Sequence, residues 1–574
     1  MGGARRHSES FPLHRSWVSE DQREYAIEEK ERFELLWSEA ITGIATWKVN
    51  DWLEDKLREG FGTRSPTPLE FVPKSNRRKK PVPFTEVTEL MNLSFDDISL
   101  LPAIPPSLSL RDYQKNAVND WIRAEGRGLF AMATGTGKTI TALSAATQVS
   151  LHYAKQNSPL LVLVVVPSKD LVNQWKADAE WFGFRPAICR SGLNRLQRDQ
   201  LKDAFSAARL SNGQRAEMVI TTADSLTPQS DILMDDHFLQ RQLRKHSGLL
   251  LVIGDEMHSL GTARRLSSLP DFPTHTLGLS ATPKRHGDEE GTNELLEYFG
   301  APVISISIKD AIYQYKCLVE YDYTPIRVEL TDTEADEYKK ISARIAAAFA
   351  NNDEQAAEIA IRLRTRLIQH ATNKIPKLRK LMSSGLSEKS HQIIYVAEGS
   401  NPTTQVVQMT EVQRILREEF SMKVECYYGE TKSNRRESLQ QQLAKGEIQG
   451  LVAMKCLDEG VDIPSARIGL ITASTQNPRQ FVQRRGRILR RDPENPKSRA
   501  EIYDFIVLPP PGYISESEKT LVGAQLSRAA ELADAARNRE VLFELIEWAY
   551  NFAIDPEKFT WMQLTEESEM EEMY

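Results

Sequence analysis

The stretch FAMATGTGKTI, Phe130 to Ile140, decides the fold. Thr134, Gly135, Thr136, Gly137, Lys138 and Thr139 stand in the order of a phosphate-binding loop. Such a loop aims backbone N–H groups at phosphate from the mouth of a helix, and the helix dipole adds to the attraction. Two glycines permit the close approach. Lys138 would set its ammonium on the β- and γ-phosphates, and the Thr139 hydroxyl would ligate Mg²⁺. The usual first glycine, five places before Gly137, is Met132. The flanks fit all the same: GLFAMA reads as a strand and ITALSAATQV as a helix.

Outward from the loop, short apolar runs alternate with helical patterns. They are Leu160–Val166, Met218–Thr222, the run GLLLVIGDE from Gly248, and Thr276–Thr282. Runs apolar on both faces are what a parallel sheet covered by helices requires. GLLLVIGDE ends in Asp255 and Glu256. A carboxylate at the end of a buried strand can hold Mg²⁺, and its neighbour can orient and deprotonate an attacking water. The alternation stops over 332–385, a long helix-like stretch, and resumes with Gln392–Ala397, Val424–Gly429, Gly450–Lys455, Ile468–Ser474 and Ile502–Leu508. The expected organisation is two tandem parallel-sheet α/β domains, over 101–310 and 386–510. A helical linker or insertion over 311–385 separates them. Helical and linker residues 1–100 precede them, and a helical extension, 511–574, with an acidic tail follows.

Composition bounds the function. With 574 residues the chain holds several domains. Apolar content is 40%, charged content 27% and net charge −7, so a nucleic-acid surface must be local rather than a global field. The longest apolar run has seven residues, Leu160 to Val166, far short of the ~20 of a membrane helix. The N-terminus lacks an apolar signal core. Four widely spaced cysteines, with no CxxC, fit a cytoplasmic protein without disulfides or a zinc knuckle.

QRRGRILR, Gln483 to Arg490, lies in the second α/β unit. Arg487 and Arg490 are three apart, on one side of a helical turn, and Gln483 shares that side. An arginine supplied from a second domain to a cleaving γ-phosphate is worth ~10³–10⁵ in rate in related chemistry.

Taken in order, these segments resemble the motifs of superfamily 2 helicases of the DExH type, in the manner of the motor subunits of type I and type III restriction enzymes. LRDYQKNAV (Leu110–Val118), VVVPSKDLVNQW (Val164–Trp175), ITTADSL (Ile220–Leu226), DEMH, LSATPKR (Leu279–Arg285), MKCLDEGVDIP (Met454–Pro464) and QRRGRILR follow the family order over about 400 residues. The resemblance implies two RecA-like domains and an ATP- and Mg²⁺-dependent motor on DNA, with RNA as a further candidate. It implies adenine contacts from Arg111 and Gln114, and coupling roles for His258, Ser280 and Thr282. Gly460 and Asp462 would face both ATP and nucleic acid. Met132 matches the MATGTGKT form of related motors.

Ser168, Lys169, Thr221 and Thr222 in the first domain, with Ser400 and Thr431 in the second, are the candidate phosphate-backbone contacts. Arg344, Arg362, Arg364, Arg366, Lys374, Lys377 and Lys380 form either a solvated helical face or a duplex-tracking arm. SFPLHRSW and FELLWSEA near the N-terminus resemble the end of a phospholipase D-like module. No histidine is followed two places later by lysine, so that nuclease motif is absent. A separate nuclease or other defence-complex subunit is therefore an expected partner. Two readings stand at this level: an ATP-driven DNA helicase or duplex translocase of a defence, restriction or repair system, and an ATP-gated clamp or remodeller that does not move processively.

Overall fold

The computed structural model describes residues 101–555, except 191–192, 211–215, 228–237, 285–287, 400–406, 429–430, 432, 455–462, 474–477, 493–494 and 511–515. The expected phospholipase D-like remnant, Ser400, Gly460, Asp462, Arg285 and the acidic tail lie outside the described residues.

Two parallel sheets carry the fold. The first has seven strands in the order β3-β4-β2-β5-β6-β1-β7: β1 (Arg127–Met132), β2 (Leu160–Val166), β3 (Arg185–Cys189), β4 (Ala216–Thr222), β5 (Leu249–Gly254), β6 (His275–Ser280) and β7 (Pro302–Ile306). The second has six in the order β10-β11-β9-β12-β13-β8: β8 (Glu320–Glu329), β9 (Gln392–Tyr395), β10 (Val424–Tyr427), β11 (Gly450–Ala453), β12 (Ile468–Ile471) and β13 (Arg499–Leu508). Every residue of β2 and β4 is buried, as a strand covered on both faces must be.

Helices α1 (Asp112–Arg123), α2 (Lys138–Lys155), α3 (Lys169–Trp181) and α4 (Arg195–Leu210) belong to the first lobe. Helices α5 (Asp332–Ala350), α6 (Glu354–Gln369) and α7 (Lys374–Ser383) form the expected helical stretch, but between β8 and β9 of the second sheet, so they belong to the second lobe rather than separating the two. That stretch begins later than the sequence suggests. Residues 320–329, read as part of a helical insertion, form β8 and pair along their length with β13. Over 320–326 their side chains alternate between more exposed and buried, and Pro325 is tolerated because β8 is an edge strand. After β12 comes α8 (Pro478–Ile488), and the chain closes with α9 (Glu516–Asp534) and α10 (Val541–Asn551). No helix among the described residues is long and apolar enough to cross a membrane.

Candidate active site at the junction of the two lobes

The phosphate loop joins β1 to α2. Its conformation explains why methionine stands where a glycine is usual. Gly135 and Gly137 both have φ of +86°, where a side chain is strained. Met132 ends β1 with its side chain fully buried, and its backbone is not left-handed. Glycine is thus needed at two positions of this loop, and 132 is not one of them. The Met132 carbonyl accepts a hydrogen bond from Lys138 Nζ at 3.1 Å. The lysine therefore lies folded along the loop it serves.

The segment before β1 is fastened to the same loop. Tyr113 donates its hydroxyl to the Thr136 carbonyl at 2.7 Å. Gln114 Nε2 reaches the same oxygen at 3.4 Å, and its Oε1 accepts the Arg111 N–H. A methyl on Gly137 would stand 2.7 Å from Gln114 Nε2, so the amide sits directly on the glycine. Arg111 is exposed, with Nη1 3.1 Å from the Tyr113 hydroxyl. Gln114 thus packs directly against the loop, and Arg111 is joined to it through Tyr113 and Gln114.

Asp255 follows β5 and is buried. Burial raises its carboxyl above the ordinary value, opposed by a hydrogen bond from Trp175 and by the Lys138 charge. Trp175 Nε1 donates to Asp255 Oδ2 at 2.7 Å, and the Glu256 N–H donates to Oδ1 at 3.0 Å. A buried carboxylate held by N–H donors beside Lys138, and the Thr139 hydroxyl in the first turn of α2, suit a hard divalent cation with oxygen ligands. Mg²⁺ there would supply charge neutralisation of the phosphates. Trp175 was not singled out by its residue type. Its place at the end of VVVPSKDLVNQW was the available signal, and a fully buried indole N–H needs an acceptor.

Glu256 adopts φ +43° and ψ +54°, a left-handed conformation uncommon for a side-chain-bearing residue. Its backbone turns sharply where β5 ends, and its Oε2 lies 3.5 Å from His258 Nδ1. His258 Nδ1 is 3.1 Å from Ser280 Oγ, which in turn accepts the Thr282 N–H at 3.1 Å. The three expected coupling residues therefore form one chain of contacts running from Glu256.

The second lobe reaches this site through α8. Gly486 lies against Thr134: a methyl on Gly486 would stand 2.6 Å from Thr134 Cβ. A methyl on Gly135 would stand 3.3 Å from Arg490 Cγ and 2.9 Å from Leu318 Cδ2. Leu318, between β7 and β8, also makes an isolated bridge with Arg490, and the Val319 N–H donates to the Leu489 carbonyl at 2.9 Å. Phosphate loop, arginine helix and inter-lobe segment meet at one point. Arg487 is buried on α8 and Gln483 is half-buried. Arg490 is not on the helix as the spacing suggests: α8 ends at Ile488, and Arg490 lies two residues beyond it, held by the bridge with Leu318.

The other two arginines of the motif are anchors. Arg484 Nη1 donates to the Ala473 carbonyl at 2.5 Å, and its guanidinium lies 4.8 Å from the Tyr395 ring centre. Arg485 pairs with Glu531 of α9. Residue spacing alone does not separate these anchoring arginines from Arg490 at the loop.

The expected strand-end contacts divide. Thr221 is fully buried, and the hydroxyl of Thr222 caps the turn Ala223–Leu226 through the Ser225 N–H. Lys169 is exposed and Ser168 half-buried at the start of α3. Thr431 closes a turn with Tyr428. Of the helical cations, Arg364 is buried over the Tyr338 ring, and Lys374 is buried with Nζ on the Gln369 carbonyl. Those two are structural, so the solvent-facing set is Arg344, Arg362, Lys377 and Lys380, with Arg366 half-buried.

A nucleotide loop on one RecA-like lobe, closed by an arginine helix from a second, defines a helicase-type ATPase. Residues 107–285 match the family model of the type III restriction enzyme res subunit, and residues 373–492 match that of the helicase conserved C-terminal domain. The chain is 27% identical over 414 residues to the DNA 3'-5' translocase XPB2 of Sulfurisphaera tokodaii, covering 68% of this chain and 80% of that one. It is 25% identical over 391 residues to the putative DNA 3'-5' helicase Rad25 of Haloarcula marismortui, covering 67% of this chain and 51% of that one. A solved structure of the ATP-dependent type ISP restriction-modification enzyme LlaBIII bound to DNA aligns with 74% of this chain and 30% of its own, at 16% identity and a TM-score of 0.49. The chain belongs to the superfamily 2 helicases related to restriction-enzyme motor subunits, and it hydrolyses ATP.

Proposed function

We propose that this chain is an ATP-driven motor that translocates along DNA, serving a defence, restriction or repair system in the cytoplasm. The observation that carries the reading is the contact of Gly486 and Arg490 with Thr134 and Gly135. It supports a triphosphate shared between the lobes, with its anchor on one and its neutralising guanidinium groups on the other. The Gly135 and Gly137 N–H groups and Lys138 would hold the phosphates. Thr139 and Asp255 would hold Mg²⁺, and Glu256 would orient and deprotonate water. Arg487 and Arg490 would offset charge developing on the transferred phosphoryl oxygens. Gln483, on the same helix, would add a polar contact, and Gly460 and Asp462 would join from the segment before it.

Cleavage removes the γ-phosphate and the differential contact that favours closure, so the lobes can part. His258, Ser280 and Thr282 would report that change along their hydrogen-bonded chain. The inter-lobe segment would follow, because Leu318 touches both the loop and Arg490. DNA is the substrate favoured by the relatives, a DNA translocase and a putative DNA helicase by name. A motor grips phosphates rather than base edges, for which Ser168, Lys169, Thr431 and Ser400 are the candidates. The exposed cations of α5 to α7 fit a duplex-tracking arm. The cytoplasm supplies ATP, and the described cysteines are free thiols.

The test is ATPase rate against DNA length, on linear and circular duplexes, with single-stranded, forked and RNA substrates alongside. A translocase gives a rate that rises with length and saturates on circles. A length-independent rate would favour the clamp.

A further inference from the structure

The two family matches end at residues 285 and 492, so neither reaches α9 or α10. Helix α9 nevertheless touches each part of the machinery that must move together. Arg485, in the last turn of α8, is 1% exposed and donates from Nη2 to Glu531 Oε1 at 2.5 Å. One turn before Glu531, Arg528 makes a buried ion pair with Asp504 of β13 at 3.0 Å. Just after it, the Leu532 carbonyl accepts the Tyr321 hydroxyl of β8. The end of α9 then meets the segment that links the lobes: Asp534 pairs with Lys309, and the Ala535 carbonyl accepts the Tyr313 hydroxyl at 3.3 Å. Beyond the helix, Arg537 pairs with Asp322, and the Asn538 side chain bonds both the N–H and the carbonyl of Tyr323.

The arrangement is a strut. The last two turns of one helix are tied to the arginine helix, to β13 and the edge strand β8 of the second sheet, and at their end to the inter-lobe segment. An ionic tie from α9 to α8 is the Glu531–Arg485 pair. A guanidinium buried this deeply tolerates little displacement, because leaving it without its carboxylate is costly. Fixing Arg485 fixes the last turn of α8, which carries Gly486 and Arg487, and with it the residues just beyond the helix, where Arg490 bridges Leu318; Gly486 and Arg490 press on the phosphate loop.

We propose that Glu531 is a positioning residue for ATP hydrolysis: through Arg485 it locks the arginine helix to the C-terminal strut, and so sets the placement of Arg487 and Arg490 over the phosphate loop. This rests on the reading of those two arginines as the groups that face the transferred phosphate. A displacement of about 1 Å in a catalytic constellation can cost ~10²-fold in rate, so the defect belongs in kcat and not in nucleotide affinity.

The experiment uses the full chain and three variants: Glu531→Gln, the apolar replacement Arg485→Met with Glu531→Leu, and Arg490→Ala. Steady-state ATPase gives kcat and KM, binding of a fluorescent ADP gives affinity, and thermal unfolding gives Tm. Glu531→Gln is expected to lose roughly 10-fold or more in kcat, with KM and ADP affinity within about two-fold. The apolar pair is expected to return Tm to the wild-type value while kcat stays low, since well-packed apolar groups can replace a buried ion pair energetically but cannot reproduce its geometry. Recovery of kcat together with Tm in the apolar pair would show a merely structural tie and overturn the proposal. So would a wild-type kcat in Glu531→Gln where Arg490→Ala is slow. A wild-type kcat in Arg490→Ala would instead overturn the reading on which the proposal rests.

Discussion

Gly486 of the second lobe packs face to face with Thr134 of the first, so closely that a single methyl on Gly486 would lie 2.6 Å from Thr134 Cβ. Alanine would favour the helix itself by up to ~1 kcal/mol. Any loss of function in Gly486→Ala therefore comes from the contact across the junction. The expected outcome is an ATPase rate down by about 10- to 100-fold with an unchanged or raised Tm. Thr134→Gly in the same chain, which removes the opposing side chain, should restore part of the rate. Failure of the second substitution to restore any activity would count against a direct steric contact.

Lys138 and Glu256 separate binding from chemistry. Lys138→Ala removes the ammonium now held on the Met132 carbonyl, and turnover should disappear with loss of ATP affinity. Glu256→Gln keeps the side-chain shape but not the base, and should bind ATP normally while hydrolysing it ~10²-fold or more slowly. Rapid-quench hydrolysis and nucleotide titration distinguish the two. Equal turnover of Glu256→Gln and wild type would remove Glu256 from its role.

Trp175 makes a prediction that does not depend on the arginines. Its N–H donates to Asp255 at 2.7 Å within a buried setting. Loss of an outer hydrogen bond to a metal-holding carboxylate typically costs ~10–100-fold in metal affinity or activity. Trp175→Phe keeps a ring in the core and removes the donor. The Mg²⁺ concentration needed for half-maximal binding of a fluorescent ADP should rise, with little change in ADP affinity at saturating Mg²⁺. An unchanged Mg²⁺ requirement would show that the bond is packing only.

How much of this was legible beforehand follows burial. Strands covered on both faces, such as Leu160–Val166 and Met218–Thr222, stood out as apolar runs. β3, β7 and β8 did not, and all three are edge strands. An edge is partly exposed, so its residues carry no continuous apolar signal. In β8 the clue was alternation: Tyr321 and Tyr323 are buried while Glu320 is exposed, and Pro325 argued against a strand without ruling out an edge. The phosphate loop and the Asp255–Glu256 pair were readable because their chemistry needs fixed spacing along the chain. The Trp175–Asp255 bond spans 80 residues and the Arg485–Glu531 pair spans 46. Only folding brings those partners together, and no local pattern encodes them. The same limit hid Arg484 and Arg485 as anchors within a run of arginines, and Thr221 and Thr222 as buried groups.

His275 gives the first lobe a defined acid sensitivity. Burial pushes its imidazole down to about 4, against a counteracting hydrogen bond that its Nδ1–H donates to the Glu125 carbonyl. The ring lies 2.8 Å from the Tyr153 hydroxyl through Nε2. The native state therefore holds it neutral, while the unfolded chain takes up a proton near pH 6.5. The unfolded state binds more protons between those values, so this contribution is complete above about pH 6.5 and is lost as pH falls towards 4. Its size is on the order of 3 kcal/mol at most. His152, His246, His370 and His391 are shifted in the same direction, chiefly by burial, and add to the trend. His275→Gln should lower Tm at pH 7.5 yet show a shallower fall in Tm between pH 7 and 5. A parallel fall in both proteins would contradict the assignment.

Cleavage of ATP by two lobes acting jointly is tested most directly at Arg490, whose Cγ stands 3.3 Å from where a Gly135 methyl would be. The measurement is single-turnover hydrolysis by Arg490→Ala at saturating DNA, with ATP affinity determined on the same preparation. The expected result is a chemical step slower by ~10³-fold, as for a guanidinium supplied from a second domain, with affinity within a few-fold of wild type. A wild-type chemical step, or a defect confined to affinity, would contradict a triphosphate shared between the lobes.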